Sequence, residues 1–264
     1  MSASDKVSLI HPTAIIDPQA RVAADVIVGP YSVIGAGVEI DAGCWIAPHV
    51  VIVGDTVIGR DNRIFSFASL GEVPQDKKYK GERTRLEIGN GNTIREYVTI
   101  NRGTEQDAGV TYIGNDNWIM AYVHIAHDCR IGDHAVLANN TTLAGHVHIG
   151  DYVTLGGTTL VHQFCHIGEY AFSSYGARIN KDVPPFITVS EGKARPRGLN
   201  TEGLKRNGFD EPRIRALKEA YRLLYRADLP LERAIEQLAA LEDVHGDIAR
   251  LQASVSGCQR SIVR

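Results

Sequence analysis

The chain lacks most of what marks a membrane, secreted or nucleic-acid-binding protein. Its 264 residues hold no apolar run approaching the roughly 18 residues of a membrane span. The start, MSASDKVSLIHP, has no charged region followed by a long apolar stretch, so no secretory leader is expected. Basic residues (28) do not outnumber acidic ones (31), which disfavours a generally basic nucleic-acid binder but leaves room for a local basic patch. Cysteine is scarce, at positions 44, 129, 165 and 258, and no C-x-x-C occurs, so metal and redox motifs are not indicated. The expected state is reduced, structural thiols in a cytoplasmic protein. Aromatics make up only 7% of the chain, so an aromatic-rich core is a poor fit. What is present is ample aliphatic material: 44% apolar residues suffice to bury a core in one large domain, or in one plus a small one.

That aliphatic material follows a six-residue clock. Steps of six from Ile10 land on Ile16, Val22, Val28, Ile34, Ile40, Ile46, Ile52, Ile58, Ile64 and Leu70. The clock resumes at Ile88, Ile94 and Ile100, and again from Ile113 through Ile119, Ile125, Ile131, Leu137, Leu143, Ile149, Leu155, Val161 and Ile167. It misses at Ser173 and returns at Ile179. Four residues after each beat the side chain is usually small or slim, as at Ala14, Ser32, Cys44, Thr56, Cys129 and Cys165, which makes three of the four cysteines structural. The residue right after the beat is often Gly or Asp, as at Asp17, Gly29, Gly35, Gly59, Gly89 and Gly150, and is read as a turn position. Period six is neither helix nor alternating strand. It fits short strands joined by corners, three hexapeptides to a triangular coil of parallel β-helix, with residues 18 apart stacked at about 4.8 Å.

Two segments break the clock, 71–87 and 101–112, and are expected to be excursion loops from the rigid coils, where function often sits. After KDVPP (181–185) the character changes. Asp210 is a candidate N-cap with Pro212 in the first turn, Pro230 opens a second helix, and a third runs from about Asp247 to Ser254. The expected organisation is a hexapeptide-repeat domain over 1–190 and a helical domain over 191–264.

Because the inward columns are apolar, chemistry must lie outside the coils or in the loops. Seven of the ten histidines fall between 124 and 166, and none occupies an inward slot. A lone outward histidine is ordinarily a surface residue; several within three coils point to a site. One coil after His127 comes Gly145, and one coil after Asp128 comes His146. Histidine is the usual general base near neutral pH, and Asp128 is the candidate carboxylate to orient it, provided the two lie at a corner. No G-x-S-x-G nucleophile is present, so direct attack by a substrate hydroxyl is simpler than covalent catalysis.

The segments SFASLGE (66–72), QDKKYKGE (75–82), TIREYVTINRGT (93–104), HIAHDC (124–129), LANNTTLAGHV (137–147), VHQFC (161–165), KDVPP and NTEGLKRNGF (200–209) together resemble the UDP-N-acetylglucosamine acyltransferases, the first acyltransferases of lipid A biosynthesis. The resemblance covers nearly the whole chain. It implies a mainly β fold, a left-handed parallel β-helix with a C-terminal α-helical domain, assembled as a cytoplasmic homotrimer with clefts between subunits. It implies transfer of an (R)-3-hydroxyacyl group from acyl carrier protein to the 3-hydroxyl of UDP-N-acetylglucosamine. No cofactor or metal is implied beyond the donor's own phosphopantetheine thioester, and neither nucleic acid nor membrane insertion. By the same resemblance His127 is the base, Asp128 its partner, and the Gly145 N–H the oxyanion donor. Gln75, Asp76 and Lys78 reach the sugar and acyl groups, His124, His146, His162 and Gln163 line the cleft, and Asn200, Glu202 and Arg206 contact the nucleotide. The chain departs from the family pattern where Asn207 replaces a second arginine. Tyr175 stands where long-chain enzymes often have glycine, which predicts a shorter acyl preference. Lys193, Arg195, Arg197, Lys205, Arg206, Arg213, Arg215, Lys218 and Arg222 make the C-terminal third locally basic, suited to an acidic carrier.

Three alternatives differ in class. The N-acyltransferase acting later in lipid A synthesis carries a separate N-terminal domain, for which a clock starting at Ile10 leaves no room. A zinc lyase of γ-carbonic anhydrase type would recruit His124, His127 and His146, leaving the first loop and the helical tail without a role. A purely structural β-helix predicts flat polar rows instead of clustered histidines.

Overall fold

A computed structural model describes residues 9–258 and 261–264; most of the N-terminal stretch read for a leader lies outside the described residues. The chain forms two compact units, Met1–His134 and Ala135–Arg264.

In the first unit the short strands stack into three parallel sheets, one per face of the coil. One face carries Ile15–Ile16, Val33–Ile34, Val51–Ile52, Ser69–Glu72, Thr99–Asn101 and His124–Ile125. Register holds the clock residues in columns: Ile34 pairs with Ile52 and Ile52 with Leu70. Ile34, Ile46, Ile52, Ile58, Ile64 and Leu70 are wholly buried, so the beats from Val28 to Leu70 fill the interior and the residues right beside them face out, while Ile10 at the first coil is exposed. In the second unit Thr142–Leu143, Leu160–Val161, Ala177–Ile179 and Gly192–Lys193 form one parallel face. Ser173, the missed beat, keeps its inward place without exposure. Its hydroxyl lies 2.8 Å from the Thr159 Oγ1 and accepts from the Gly156 amide at 3.0 Å, so the polar atom is satisfied.

The glycine after the beat has a different cause from the one the sequence suggested. The left-handed corner residue is the third after the beat, and it is seldom glycine: Tyr31, His49, Asp61, Phe67, Tyr97, Asp128 and His146 all have φ near +60°. At Gly89 φ is not positive; a Cβ there would lie 2.6 Å from the Gly114 carbonyl oxygen of the next coil. Close stacking of coils therefore excludes a side chain. The corner residues in turn stack their rings: Tyr31, His49, Phe67, Tyr97 and Tyr122 form a ladder with successive centroids 5.2, 5.2, 4.9 and 4.8 Å apart.

The excursions are narrower than the broken clock implied, at 73–84 and 102–109. Strands Ser69–Glu72, Arg85–Ile88 and Val110–Ile113 run four residues each, as Asp55–Ile58 does, and Leu86 and Thr111 point inward and pair in register. Another inward column is polar: Asn92 Nδ2 donates to Asn62 Oδ1 at 3.0 Å, and Asn92 Oδ1 accepts from the Asn117 amide at 2.9 Å.

Among the described residues of the second unit four helices follow the strands: α1 (Thr201–Arg206), α2 (Glu211–Tyr225), α3 (Leu231–Leu238) and α4 (Asp247–Ser256). Asp210 caps α2 by accepting from the Arg213 amide at 2.9 Å. Leu204, Ile214, Leu217, Leu224, Leu238 and Leu251 bury against Phe186 and Phe209. Cys44, Cys129 and Cys165 are buried and Cys258 partly so, its Sγ donating to Asp182 Oδ2 at 2.9 Å.

Candidate active site

In the first unit the site is built at the corner after His124–Ile125. Asp128 has φ +60°, so the chain turns there, and two neighbours that would oppose each other in a strand meet: His127 Nδ1 lies 2.8 Å from Asp128 Oδ2. The Asp128 carboxylate is only 2% exposed. Thr104 donates to it twice, from its amide to Oδ1 at 2.8 Å and from its hydroxyl to Oδ2 at 2.6 Å. The Asp128 amide itself donates to Thr111 Oγ1 at 2.8 Å. A carboxylate so supplied accepts from the ring, which fixes the proton on Nδ1 and leaves Nε2 as a lone pair. His124 is half-buried and its Nδ1 lies 2.7 Å from Thr99 Oγ1. Burial pushes the His124 imidazole pKa down, with the neighbouring His127 adding to the effect, so this ring stays neutral at neutral pH.

The first excursion is shaped by its own bonds and by the second. Asp76 Oδ1 accepts from the Lys78 amide at 2.9 Å, which turns the chain and leaves Gln75 and Lys78 exposed. Arg102 donates to the Gly71 carbonyl and to the Tyr79 hydroxyl, both at 2.9 Å, and Asn101 Nδ2 donates to the Val73 carbonyl at 2.9 Å. Thr99, Asn101, Arg102 and Thr104 lie in TIREYVTINRGT, a segment of the resemblance that by itself gives them no role, and Thr111 lies in the second segment that breaks the clock.

In the second unit Gly145 is buried and its carbonyl accepts from the Phe164 amide at 3.2 Å. Among the described residues its own N–H donates to no acceptor. His146 stacks on Phe164 with centroids 4.3 Å apart and planes at 10°. His162 and Gln163 are exposed, and His162 Nδ1 donates to the Gln163 carbonyl at 3.1 Å. Tyr175 is 71% exposed in the single chain. Asn200 is the N-cap of α1: its Oδ1 accepts from the Gly203 amide at 3.1 Å and its Nδ2 donates to the Tyr170 carbonyl at 2.9 Å, so its amide is already engaged by the fold. Glu202 and Arg206 sit exposed in the first and last turns of the same helix. Asn207, in place of the second arginine, closes that helix by donating from Nδ2 to the Gly203 carbonyl at 2.8 Å, which gives the departure a structural use.

Residues 8–42 and 111–145 match the bacterial transferase hexapeptide family, described as six repeats. Residues 182–263 match domain 2 of the UDP N-acetylglucosamine O-acyltransferases. The acyl-[acyl-carrier-protein]–UDP-N-acetylglucosamine O-acyltransferase of Herminiimonas arsenicoxydans is 56% identical, over 98% of this chain and 100% of its own length. The UDP-N-acetylglucosamine O-acyltransferase of Moraxella catarrhalis, a solved structure, has a TM-score of 0.95 and 48% identity, covering 97% of this chain and 100% of that one. That of Francisella novicida has a TM-score of 0.94 and 42% identity, covering 97% and 94%. The chain belongs to the acyl-[acyl-carrier-protein]–UDP-N-acetylglucosamine O-acyltransferase family. Its fold is that family's left-handed parallel β-helix of hexapeptide repeats with a C-terminal α-helical part.

Proposed function

We propose that this chain transfers an (R)-3-hydroxyacyl group from acyl carrier protein to the 3-hydroxyl of UDP-N-acetylglucosamine, the first step of lipid A synthesis, with His127 as base. The observation that carries the role of His127 is its bond to a buried carboxylate held by Thr104. His127 Nε2 takes the proton of the sugar hydroxyl as its oxygen attacks the thioester carbonyl. The new C–O bond puts negative charge on the former carbonyl oxygen, and the Gly145 N–H, which has no other described acceptor, donates to it. Collapse breaks the C–S bond, and the imidazolium returns its proton to the leaving thiolate of the donor. Asp128 stays ionised throughout and stabilises the imidazolium. Gln75, Asp76, Lys78, His124, His146, His162 and Gln163 bind the sugar and acyl groups, and Asn200, Glu202 and Arg206 the nucleotide.

The working form is a homotrimer in the cytoplasm, with the cleft closed by a neighbouring subunit. Among the described residues no helix is long and apolar enough to cross a membrane. Docking of the acidic carrier falls to the basic side chains that no carboxylate neutralises. Lys205, Arg213 and Arg222 are paired with Glu211, Asp247 and Glu219. Lys193, Arg195, Arg197, Arg206, Arg215 and Lys218 are not, among the described residues.

The test is a transfer assay on the purified protein with UDP-N-acetylglucosamine and a chain-length series of (R)-3-hydroxyacyl carrier proteins, products read by mass spectrometry. One acylated nucleotide sugar, strongest with a shorter chain, is expected. No product from any chain, with the protein folded and trimeric, would overturn the reading, and stoichiometric zinc in the same preparation would move it to a metal-assisted lyase.

A further inference from the structure

A second polar cluster lies in the second unit, on the face that carries Thr142–Leu143, Leu160–Val161, Ala177–Ile179 and Gly192–Lys193. A cleft of about 410 Å³ opens there, lined by Leu160, His162, Arg178, Asn180 and Lys193 over Val161 and Ile179. Register places Leu160 beside Arg178 and Arg178 beside Lys193. Ile179 points inward with 1% exposure, so its neighbour Arg178 points out, and the two cations share one outward row on adjacent strands, about 4.8 Å apart at the backbone.

Like charges side by side in a sheet repel. Proteins usually place a carboxylate between them, yet among the described residues neither Arg178 nor Lys193 makes an ion pair. His162 and Asn180 hold the same position after their respective strands, and the His162 amide donates to the Ile179 carbonyl at 2.8 Å, so the two side chains border the cleft in step. The rim thus offers a guanidinium fork, an ammonium, an amide and an imidazole, and no carboxylate. The strand of Arg178 lies two steps from Thr142–Leu143, after which comes Gly145, or about 10 Å along the stack. That is within the length of either substrate of the proposed reaction.

The geometry points to Arg178 and Lys193 as a phosphate-recognition pair that positions a substrate for the transfer described above, an inference that rests on that reading. Two sources supply the same chemistry: the phosphodiester of the donor's 4′-phosphopantetheine arm and the diphosphate of the nucleotide sugar. Arg178 provides the planar fork suited to two phosphate oxygens, and Lys193 a point charge beside it. Neither touches the reacting atoms; both act by holding the arm or the diphosphate.

The experiment compares wild type with Arg178→Ala, Lys193→Ala and Lys193→Arg, each checked by thermal melting and by trimer mass. Wild-type turnover first establishes the reaction itself. Soluble competitors are then paired: 4′-phosphopantetheine against pantetheine, and UDP against uridine. The expected result is that wild type favours one phosphorylated competitor. In Arg178→Ala and Lys193→Ala that preference falls about tenfold, KM for the corresponding substrate rises by a similar factor and kcat changes little. Lys193→Arg restores most of it. Loss confined to the pantetheine pair identifies the donor arm, and loss confined to the UDP pair identifies the acceptor diphosphate. Unchanged preferences and KM values for both pairs, in folded trimeric variants of an active enzyme, overturn the inference.

Discussion

Asp128→Asn separates the part of the site that holds His127 from the part that charges it. The aspartate receives three described hydrogen bonds, from the Thr104 amide on Oδ1 and from the Thr104 hydroxyl and His127 Nδ1 on Oδ2. An asparagine of the same size has one oxygen to give. If the NH2 group faced the Thr104 amide, two donors would meet, and a backbone N–H cannot rotate away. The oxygen must therefore take the Oδ1 position, which turns the NH2 group toward His127 and the Thr104 hydroxyl. The hydroxyl adapts by accepting. His127 can accept on Nδ1 only by moving its proton to Nε2, where the base must be vacant. Packing survives: exchanging charge-assisted bonds for neutral ones costs about 1–3 kcal/mol of stability. Catalysis does not: loss of the general base predicts a fall of about 100- to 10,000-fold in kcat. The assay is initial-rate acyl transfer on variant and wild type, with ring ¹⁵N shifts of His127 to read the tautomer. A folded variant within about threefold of wild-type kcat, with Nδ1 still protonated, would refute the reasoning.

Three further outcomes follow from the same geometry. Asp247 is 2% exposed and joins Arg213 on α2 to Arg250 on α4, so Asp247→Ala is expected to lower stability by about 3 kcal/mol in denaturant unfolding. Burial raises its pKa, but the hydrogen bonds and charges of Arg213 and Arg250 outweigh that and hold it below the usual carboxylate value; the contribution is complete above the unfolded pKa, about 3.9, and the deficit of the variant shrinks as pH falls below about 4. Gly89→Ala places a Cβ against the Gly114 backbone and is expected to cost about 1–3 kcal/mol, and Gly89→Asn, which a left-handed turn would tolerate, is expected to cost at least as much; melting curves of both variants decide. Tyr175→Gly removes a ring that is 71% exposed, so stability should move by less than about 0.5 kcal/mol while the preferred acyl chain lengthens; an unchanged chain-length profile would remove Tyr175 as the limit.

The fold was legible because each hexapeptide supplies one inward aliphatic, so a single period reports the coil, the buried column and the outward face together. Ser173 shows how robust that signal is: the residue type changed but the inward slot did not. The glycine after the beat was misread because composition cannot distinguish a positive φ from a backbone contact one coil away. The loop limits were overdrawn because Leu86 and Thr111 hold the inward slot two residues ahead of a beat, but Glu82 and Asp107 stand where the preceding beats would fall, so nothing aliphatic announces them. At the site, the types His127 and Asp128 were readable but their meeting was not. It depends on a left-handed corner that aspartate tolerates and sequence alone does not announce.

Thr104 went unnoticed for a reason that also explains where the chemistry sits. A regular coil advances 18 residues, as from Ile34 to Ile52, and keeps its side chains on its own faces. From Leu70 to Ile100 the step is 30 residues, and from Ile100 to Ile125 it is 25. The columns stay in register across both steps, so the surplus residues must leave the coil. The first surplus forms the loop with Gln75, Asp76 and Lys78. The second folds back to deliver the Thr104 amide and hydroxyl to Asp128, and Arg102 from the same stretch ties down the first loop through Tyr79. The two insertions thus act as one bracket, which fixes a carboxylate beside a histidine on an otherwise repetitive surface. Arg102→Ala, which cuts the tie without touching His127, should accordingly raise KM for the nucleotide sugar more than it lowers kcat, because the loop that it holds contacts substrate in the proposed reaction while the base keeps its partner.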